Sequence, residues 1–184
     1  MHVRSLSVLA LLLLSECSAP GVLSLDGFTQ WRTGHDDKTK QLFPGNTNGL
    51  VRENDKMIVH VKFQVAQYGE VSFPINRETP EGAEALRVDL SGSKFITLSY
   101  KSNQKFILQL RQTAVHGGSQ NHVTLPASED YTTATILLSD FSGGLSPLDL
   151  SNVSKFNFAF LENNPADGFA ELYVEKFEID NYKP

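Results

Sequence analysis

Apolar and polar residues alternate in short runs along most of the chain, and Gly, Pro, Asn, Asp and Ser separate the runs. Alternation with a period of two puts successive side chains on opposite faces of an extended strand, so these runs predict β-structure. Val59, Val61, Phe63 and Val65 alternate with His60, Lys62, Gln64 and Ala66, which predicts one half-buried strand from Met57 to Tyr68. Ile96, Leu98 and Tyr100 repeat the pattern, and Phe106, Leu108 and Leu110 stand against Ile107, Gln109 and Arg111. Ala134, Ile136 and Leu138 follow, set against Thr133, Thr135 and Leu137. Phe156, Phe158 and Phe160 form the most aromatic row, with Asn157 and Ala159 opposite, and a last strand is predicted from Glu171 to about Asp180. Turn signals fall at Ser102-Asn103, Gly117-Gly118, Gly143-Gly144 and Asp167-Gly168. Strands with polar alternate faces predict an all-β antiparallel sandwich rather than a parallel sheet buried on both sides.

The N-terminus departs from this pattern. His2 and Arg4 precede the run Leu6 to Leu14, which only Ser7 interrupts, and small residues follow. That is the form of a secretory signal peptide over residues 1–21, with one domain over residues 22–184. A membrane-spanning helix needs about 20 apolar residues, and this run stops at Ser15 and Glu16, so no transmembrane segment is expected. Ala19-Pro20-Gly21 suits cleavage and a secreted, extracellular product. Leu14-Ser15-Glu16-Cys17 looks like a degraded lipoprotein box, so a lipid anchor at Cys17 is the alternative, although Glu16 stands where a small residue belongs.

Cys17 is the only cysteine, so the domain is expected to fold without a disulfide. Arg4 and Glu16 cancel in the leader, and the mature chain keeps the net charge of −5. Phosphate neutralisation normally shows as a basic excess, so nucleic acid is not an expected partner. His35, His60, His116 and His122 lack the spacing of a zinc site, and Gly143-Gly144-Leu145-Ser146-Pro147 lacks the second glycine of a nucleophile elbow. Asp36, Asp37, Glu53, Asp55, Glu70, Glu129, Asp130 and Glu162 offer many formal carboxylate pairs for glycoside hydrolysis, but no spacing singles one out. The expectation is therefore a protein that is not an enzyme.

An internal echo adds to the fold reading. Asp89-Leu90-Ser91 leads through Lys94-Phe95 into one strand, and Asp149-Leu150-Ser151 leads through Lys155-Phe156 into another. Asp and Ser can cap a turn through backbone hydrogen bonds while Leu anchors it to the core, so the two copies read as equivalent strand starts in a jelly roll.

From about Ala85 to Tyr182 these pieces, with Leu108-Gln109-Leu110-Arg111, Leu138-Ser139-Asp140-Phe141 and a final Phe-rich strand pair, give the chain its resemblance. It resembles the galactose-binding-like jelly rolls, especially the family-eleven carbohydrate-binding modules and the related complex I intermediate-associated domains. Trp31-Arg32 followed by Asp36-Asp37 is similar to the start of such domains, while Gly45-Asn46-Thr47-Asn48-Gly49 replaces the expected glycine pair.

The resemblance implies a non-catalytic carbohydrate-binding module recognising a polysaccharide, with a β-glucan as the expected class, on the concave face of the sandwich. Sugar hydroxyls need fixed donors and acceptors, and the C–H face of a pyranose needs a flat ring. Alternation puts Gln109 and Arg111 on one side of their strand, and His60, Lys62, Gln64 and Tyr68 on one side of theirs. If one concave sheet carries both sets, they line a groove. Asn157, and Trp31 as a stacking ring, complete the expected site. No cofactor is required. Related sandwiches bind calcium where the first and last strands meet, which makes Asp26 and Asp180 candidate ligands of a structural ion. Two other readings stay open: a scaffold or assembly protein binding a protein partner, as the complex I intermediate-associated resemblance implies, and a polysaccharide lyase or hydrolase with an unsignalled site.

Overall fold

A computed structural model describes residues 31–45, 50–54, 56–81, 83–113, 115, 118–161 and 168–182. The expected leader, Cys17, Asp26, His116 and the rim segment 46–49 lie outside these residues. Among the described residues the chain forms eleven strands: β1 Arg32–His35, β2 Lys40–Phe43, β3 Leu50–Glu53, β4 Lys56–Gln64, β5 Tyr68–Pro74, β6 Phe95–Ser102, β7 Phe106–Gln112, β8 Asn121–Leu125, β9 Ser128–Leu137, β10 Val153–Leu161 and β11 Ala170–Ile179. One sheet has the order β1-β5-β10-β7-β8, and the other has the order β2-β4-β11-β6-β9 with β3 also paired to β4. All pairings are antiparallel, as the polar alternate faces require.

The alternating apolar rows meet between the two sheets. Val71, Phe73, Phe106, Leu108, Leu110, Phe156, Phe158 and Phe160 come from the five-stranded sheet. Val59, Val61, Phe63, Ile96, Leu98, Tyr100, Leu172, Val174, Phe177 and Ile179 come from the six-stranded one. Aromatic pairs join the layers: Phe73 meets Phe177 edge-on at 4.7 Å, and Tyr100 meets Phe106 edge-on at 5.0 Å. Such pairs add about 0.5–1.5 kcal/mol each beyond the area they bury.

The two copies of the echo sit side by side. Asp89 Oδ1 accepts from the Ser91 N–H, and Asp149 Oδ1 accepts from the Ser151 N–H, while Leu90 N–H donates to the Leu150 carbonyl at 2.7 Å. One copy starts β6 and the other starts β10, so they are equivalent starts in facing sheets.

The expected single strand from Met57 to Tyr68 is corrected. It is two strands, β4 in the six-stranded sheet and the start of β5 in the five-stranded sheet. The apolar alternation continues through Val65, which is buried, but the chain crosses between the layers over Val65-Ala66-Gln67. The N–H of Ala66 donates to Thr39 Oγ1, and those of Gln67 and Tyr68 donate to Asp36 Oδ2. The crossing therefore replaces ladder bonds with side-chain acceptors, and Tyr68 leaves the face of His60, Lys62 and Gln64.

Candidate functional site: the outer face of the five-stranded sheet

The register of the five-stranded sheet sets out which polar residues stand together. Arg32 pairs with Ser72, Ser72 with Asn157, Asn157 with Gln109, and Gln109 with His122. These five residues form one row across the sheet, on the face away from the core. The next row runs Gly34, Glu70, Ala159, Ile107 and Thr124, and beyond the first row on the other side Lys155 pairs with Arg111. Tyr68, one row beyond Glu70 along β5, is 38% exposed at the rim.

Asn157 sits at the middle of this face and is only 1% exposed. Its Nδ2 donates to Glu70 Oε2 at 3.1 Å and to Gln109 Oε1 at 3.4 Å. Its Oδ1 has no hydrogen-bond partner, and neither does the buried Nη2 of Arg32 on the same row. Leaving a buried polar atom unpaired costs about 1–3 kcal/mol, so both are under-satisfied groups on this row.

The charges are coupled. Burial pushes the Glu70 carboxyl above its ordinary range, against the pull of Lys155, Arg111 and the Asn157 amide. Burial also lowers the Lys155 ammonium, and the neighbouring Arg111 charge lowers it further. Among the described residues the ion pairs are His60–Glu171, Lys62–Glu171 and Lys176–Glu178, so Arg111 is not tied to a carboxylate in this sandwich. Glu70 is the one carboxylate at an outward position of these five strands.

The structure thus brings together Gln109, Arg111, Asn157 and Tyr68 and separates them from His60, Lys62 and Gln64, which belong to the outer face of the other sheet. There His60 Nε2 lies 2.7 Å from Glu171 Oε1, and Tyr173 OH donates to the same oxygen at 3.0 Å. Although burial raises the Glu171 carboxyl, the bonds from His60 and Tyr173 and the charge of Lys62 hold it below its usual range. The Tyr173 ring stacks on His60 at 3.9 Å from one neighbouring strand and takes Lys101 at 4.0 Å from the other. Both of its faces are covered, so it offers no flat surface to a sugar. Trp31 is also corrected as a stacking residue: it is 3% exposed and packs on Phe73 at 4.7 Å, inside the core. A lone tryptophan in a polar stretch carries no sign of which side of the sheet it takes.

Sequence reasoning missed Arg32, Glu70 and Lys155. Only Lys155 lies on a strand whose polar parity was readable, whereas the sequence pattern predicted no strand over β1 or over the part of β5 that carries Glu70, and it is the order of strands that puts all three on the face of Arg111.

Asp180, the expected calcium ligand on the last strand, serves as a backbone acceptor here, and its expected partner Asp26 lies outside the described residues. Asp180 Oδ1 accepts the N–H groups of Lys94 and Phe95 at 2.6 and 2.7 Å, and its Oδ2 faces the Asn181 amide at 3.4 Å. Among the described residues no group of three or more His, Cys, Asp and Glu could hold a metal ion, whereas calcium takes six to eight oxygens. Among the same residues no helix is long and apolar enough to cross a membrane.

Comparison with known proteins places this architecture. No family model and no curated protein sequence matches the chain. Among solved structures it is similar to the family 11 carbohydrate-binding module of the cellulosomal cellulase Lic26A-Cel5E of Clostridium thermocellum, with a TM-score of 0.61 at 18% identity over 89% of this chain and 96% of that one. A family 11 module from Clostridium thermocellum in complex with a beta-1,3-1,4-mixed-linked tetrasaccharide matches with a TM-score of 0.55 at 16% identity, covering 89% and 97%. A family 30 carbohydrate-binding module follows with a TM-score of 0.52 at 14% identity, covering 73% and 72%. At these identities the likeness establishes the fold alone: the chain is an antiparallel β-sandwich of the kind these carbohydrate-binding modules share.

Proposed function

We propose that this protein is an exported, non-catalytic binding module whose five-stranded sheet holds a polysaccharide of the β-glucan class across its outer face. The observation that carries the reading is the buried amide of Asn157, with an unpartnered Oδ1, set among Gln109, Glu70, Arg111 and Lys155. A sugar hydroxyl can both donate and accept, so it suits a face that offers a free carbonyl oxygen beside amide and guanidinium donors. The exposed ring of Tyr68 supplies an apolar edge at the rim. The shared fold with a family 11 module solved with a mixed-linked tetrasaccharide supports the ligand class. The apolar run Leu6 to Leu14 behind Arg4 supports export.

The test is calorimetric titration of the mature domain with a soluble mixed-linkage β-glucan, wild type against Arg111→Ala. A charge-assisted hydrogen bond contributes about 1.5–3 kcal/mol, so affinity is expected to fall about tenfold or more while the thermal melt stays close to wild type. A variant that melts normally and binds at full strength removes this face. No binding of any glycan by the wild type favours the protein-partner reading instead.

A further inference from the structure

The outer face of the five-stranded sheet is locally cationic on a protein whose net charge is −5. Arg32, Arg111 and Lys155 stand at outward positions on three of its strands, and the single outward carboxylate among them is Glu70. Lys155 and Arg111 are directly paired across β10 and β7, with side chains on the same side of the sheet and about 5 Å between the strands. The two charges repel, and although Glu70 acts on both and Glu84 on Lys155, neither carboxylate lies within ion-pair distance of them, and burial favours the neutral form of Glu70. Arg32, from the far edge strand, brings a third charge with a buried Nη2 that no protein group accepts. A neutral glucan relieves none of this. An anionic group lying over Lys155 and Arg111 relieves the repulsion and gives the guanidinium an acceptor.

We infer that the glycan held on this face is anionic, a β-linked chain whose carboxylate or sulfate substituents sit over Arg111 and Lys155 with Arg32 as a second anchor. This rests on the carbohydrate-binding reading above and names the class of chain within it. Because the protein as a whole is acidic, general attraction to a polyanion does not explain such a preference. It has to come from the local cluster.

Three polymers with one backbone separate the cases. They are a neutral β-1,4-linked glucan in soluble form, the same glucan oxidised at C6 to carry carboxylates, and the same glucan carrying sulfate esters. Affinity electrophoresis and calorimetry are run on the wild-type mature protein, on Lys155→Gln, and on Lys176→Gln as a lysine of the other sheet. The wild type is expected to bind a charged polymer about tenfold or more tightly than the neutral one. That preference should shrink as salt is raised from about 0.05 to 0.5 M, because screening shortens the reach of the charges. Lys155→Gln should lose most of the preference while melting like the wild type, and Lys176→Gln should keep it. The polymer that binds more tightly, carboxylated or sulfated, identifies the substituent. Equal, salt-insensitive binding of neutral and charged polymers overturns the anionic inference and leaves the carbohydrate reading standing. So does a preference that Lys176→Gln removes and Lys155→Gln does not. No binding to any of the three overturns the carbohydrate reading itself.

Discussion

The Asp36 carboxylate accepts the backbone N–H of Tyr68 at 3.0 Å, across 32 residues of sequence, and so joins the end of β1 to the start of β5. The same carboxylate accepts from Gln67 N–H at 3.0 Å, Lys38 N–H at 2.9 Å, Thr39 N–H at 3.0 Å and the Thr39 hydroxyl at 2.6 Å. Thr39 Oγ1 in turn accepts the Ala66 N–H at 2.7 Å. One side chain thus organises the crossing that carries the chain from one sheet to the other and delivers Tyr68 to the rim of the candidate site.

These bonds favour the ionised form, and with the Thr39 hydroxyl first and the backbone N–H groups after it they hold Asp36 well below the usual carboxylate range. A carboxyl whose folded-state pKa is depressed contributes stability above its unfolded pKa and loses it as pH falls. Asp36→Asn should therefore lower the melting temperature at neutral pH, and the gap from wild type should narrow as pH drops below about 4. Thermal melts of both proteins across that range decide it. A gap that widens toward acid would sink this account of the crossing.

Glu70 should behave in the opposite sense. Burial raises its pKa, so the protonated form is favoured in the folded state. Such a group contributes most below its unfolded pKa, and that contribution is lost as pH rises through the folded value. Relative to Glu70→Gln, which keeps an acceptor for the Asn157 amide, the wild type should be most stable near pH 4 and lose ground toward neutrality. Paired melts at several pH values measure it, and a wild type that gains on the variant with rising pH would contradict the burial argument.

Strands β4, β6, β7, β9, β10 and β11 were legible in the sequence because their apolar rows obey a period of two, whereas the short strands β1, β2, β3 and β8 carry too few apolar positions to show one. Phe106, Leu108 and Leu110 are buried, and Ile107, Gln109 and Arg111 are half exposed, as alternation requires. What alternation cannot carry is which strands become neighbours. His60 and Arg111 both lie on polar faces, yet they end on opposite sides of the sandwich, since β4 and β7 join different sheets. Polar parity also does not mean solvation: Asn157 has the parity of an outward residue and is buried among Glu70 and Gln109. The break between β4 and β5 was hidden because Val65 continues the apolar alternation while the acceptors that permit the crossing, Asp36 and Thr39, lie far upstream.

Asp180 is expected to stabilise as a backbone acceptor. It receives two N–H groups at the start of β6, and each such bond is worth about 1 kcal/mol net, more when the acceptor is charged. Asp180→Ala should lower the melting temperature by a similar amount in calcium and in chelator, and the wild-type melt should not move between the two. A wild-type melt that falls on chelation would restore calcium through ligands that bind only the native state.

Gly69 gives the sharpest test of how β5 meets β4. A Cβ at this position would lie 2.7 Å from Phe63 Cγ and about as close to the two adjoining ring carbons, at 3.0 and 3.1 Å. Phe63 is fully buried in the core, so room for the new methyl has to come from its packed neighbours. Overpacking of a core by one methyl typically costs about 1–3 kcal/mol, and Gly69→Ala should lower the melting temperature by several degrees. Phe63→Leu alone should also destabilise, through loss of ring contacts. Combined, the two should cost less than the sum of their separate effects, because the smaller side chain makes room for the new methyl, and contacting residues are where additivity fails. A double-mutant cycle by chemical denaturation measures that coupling. Strict additivity would mean that Gly69 does not pack on Phe63, and the path of the chain into the candidate face would have to differ from the one described.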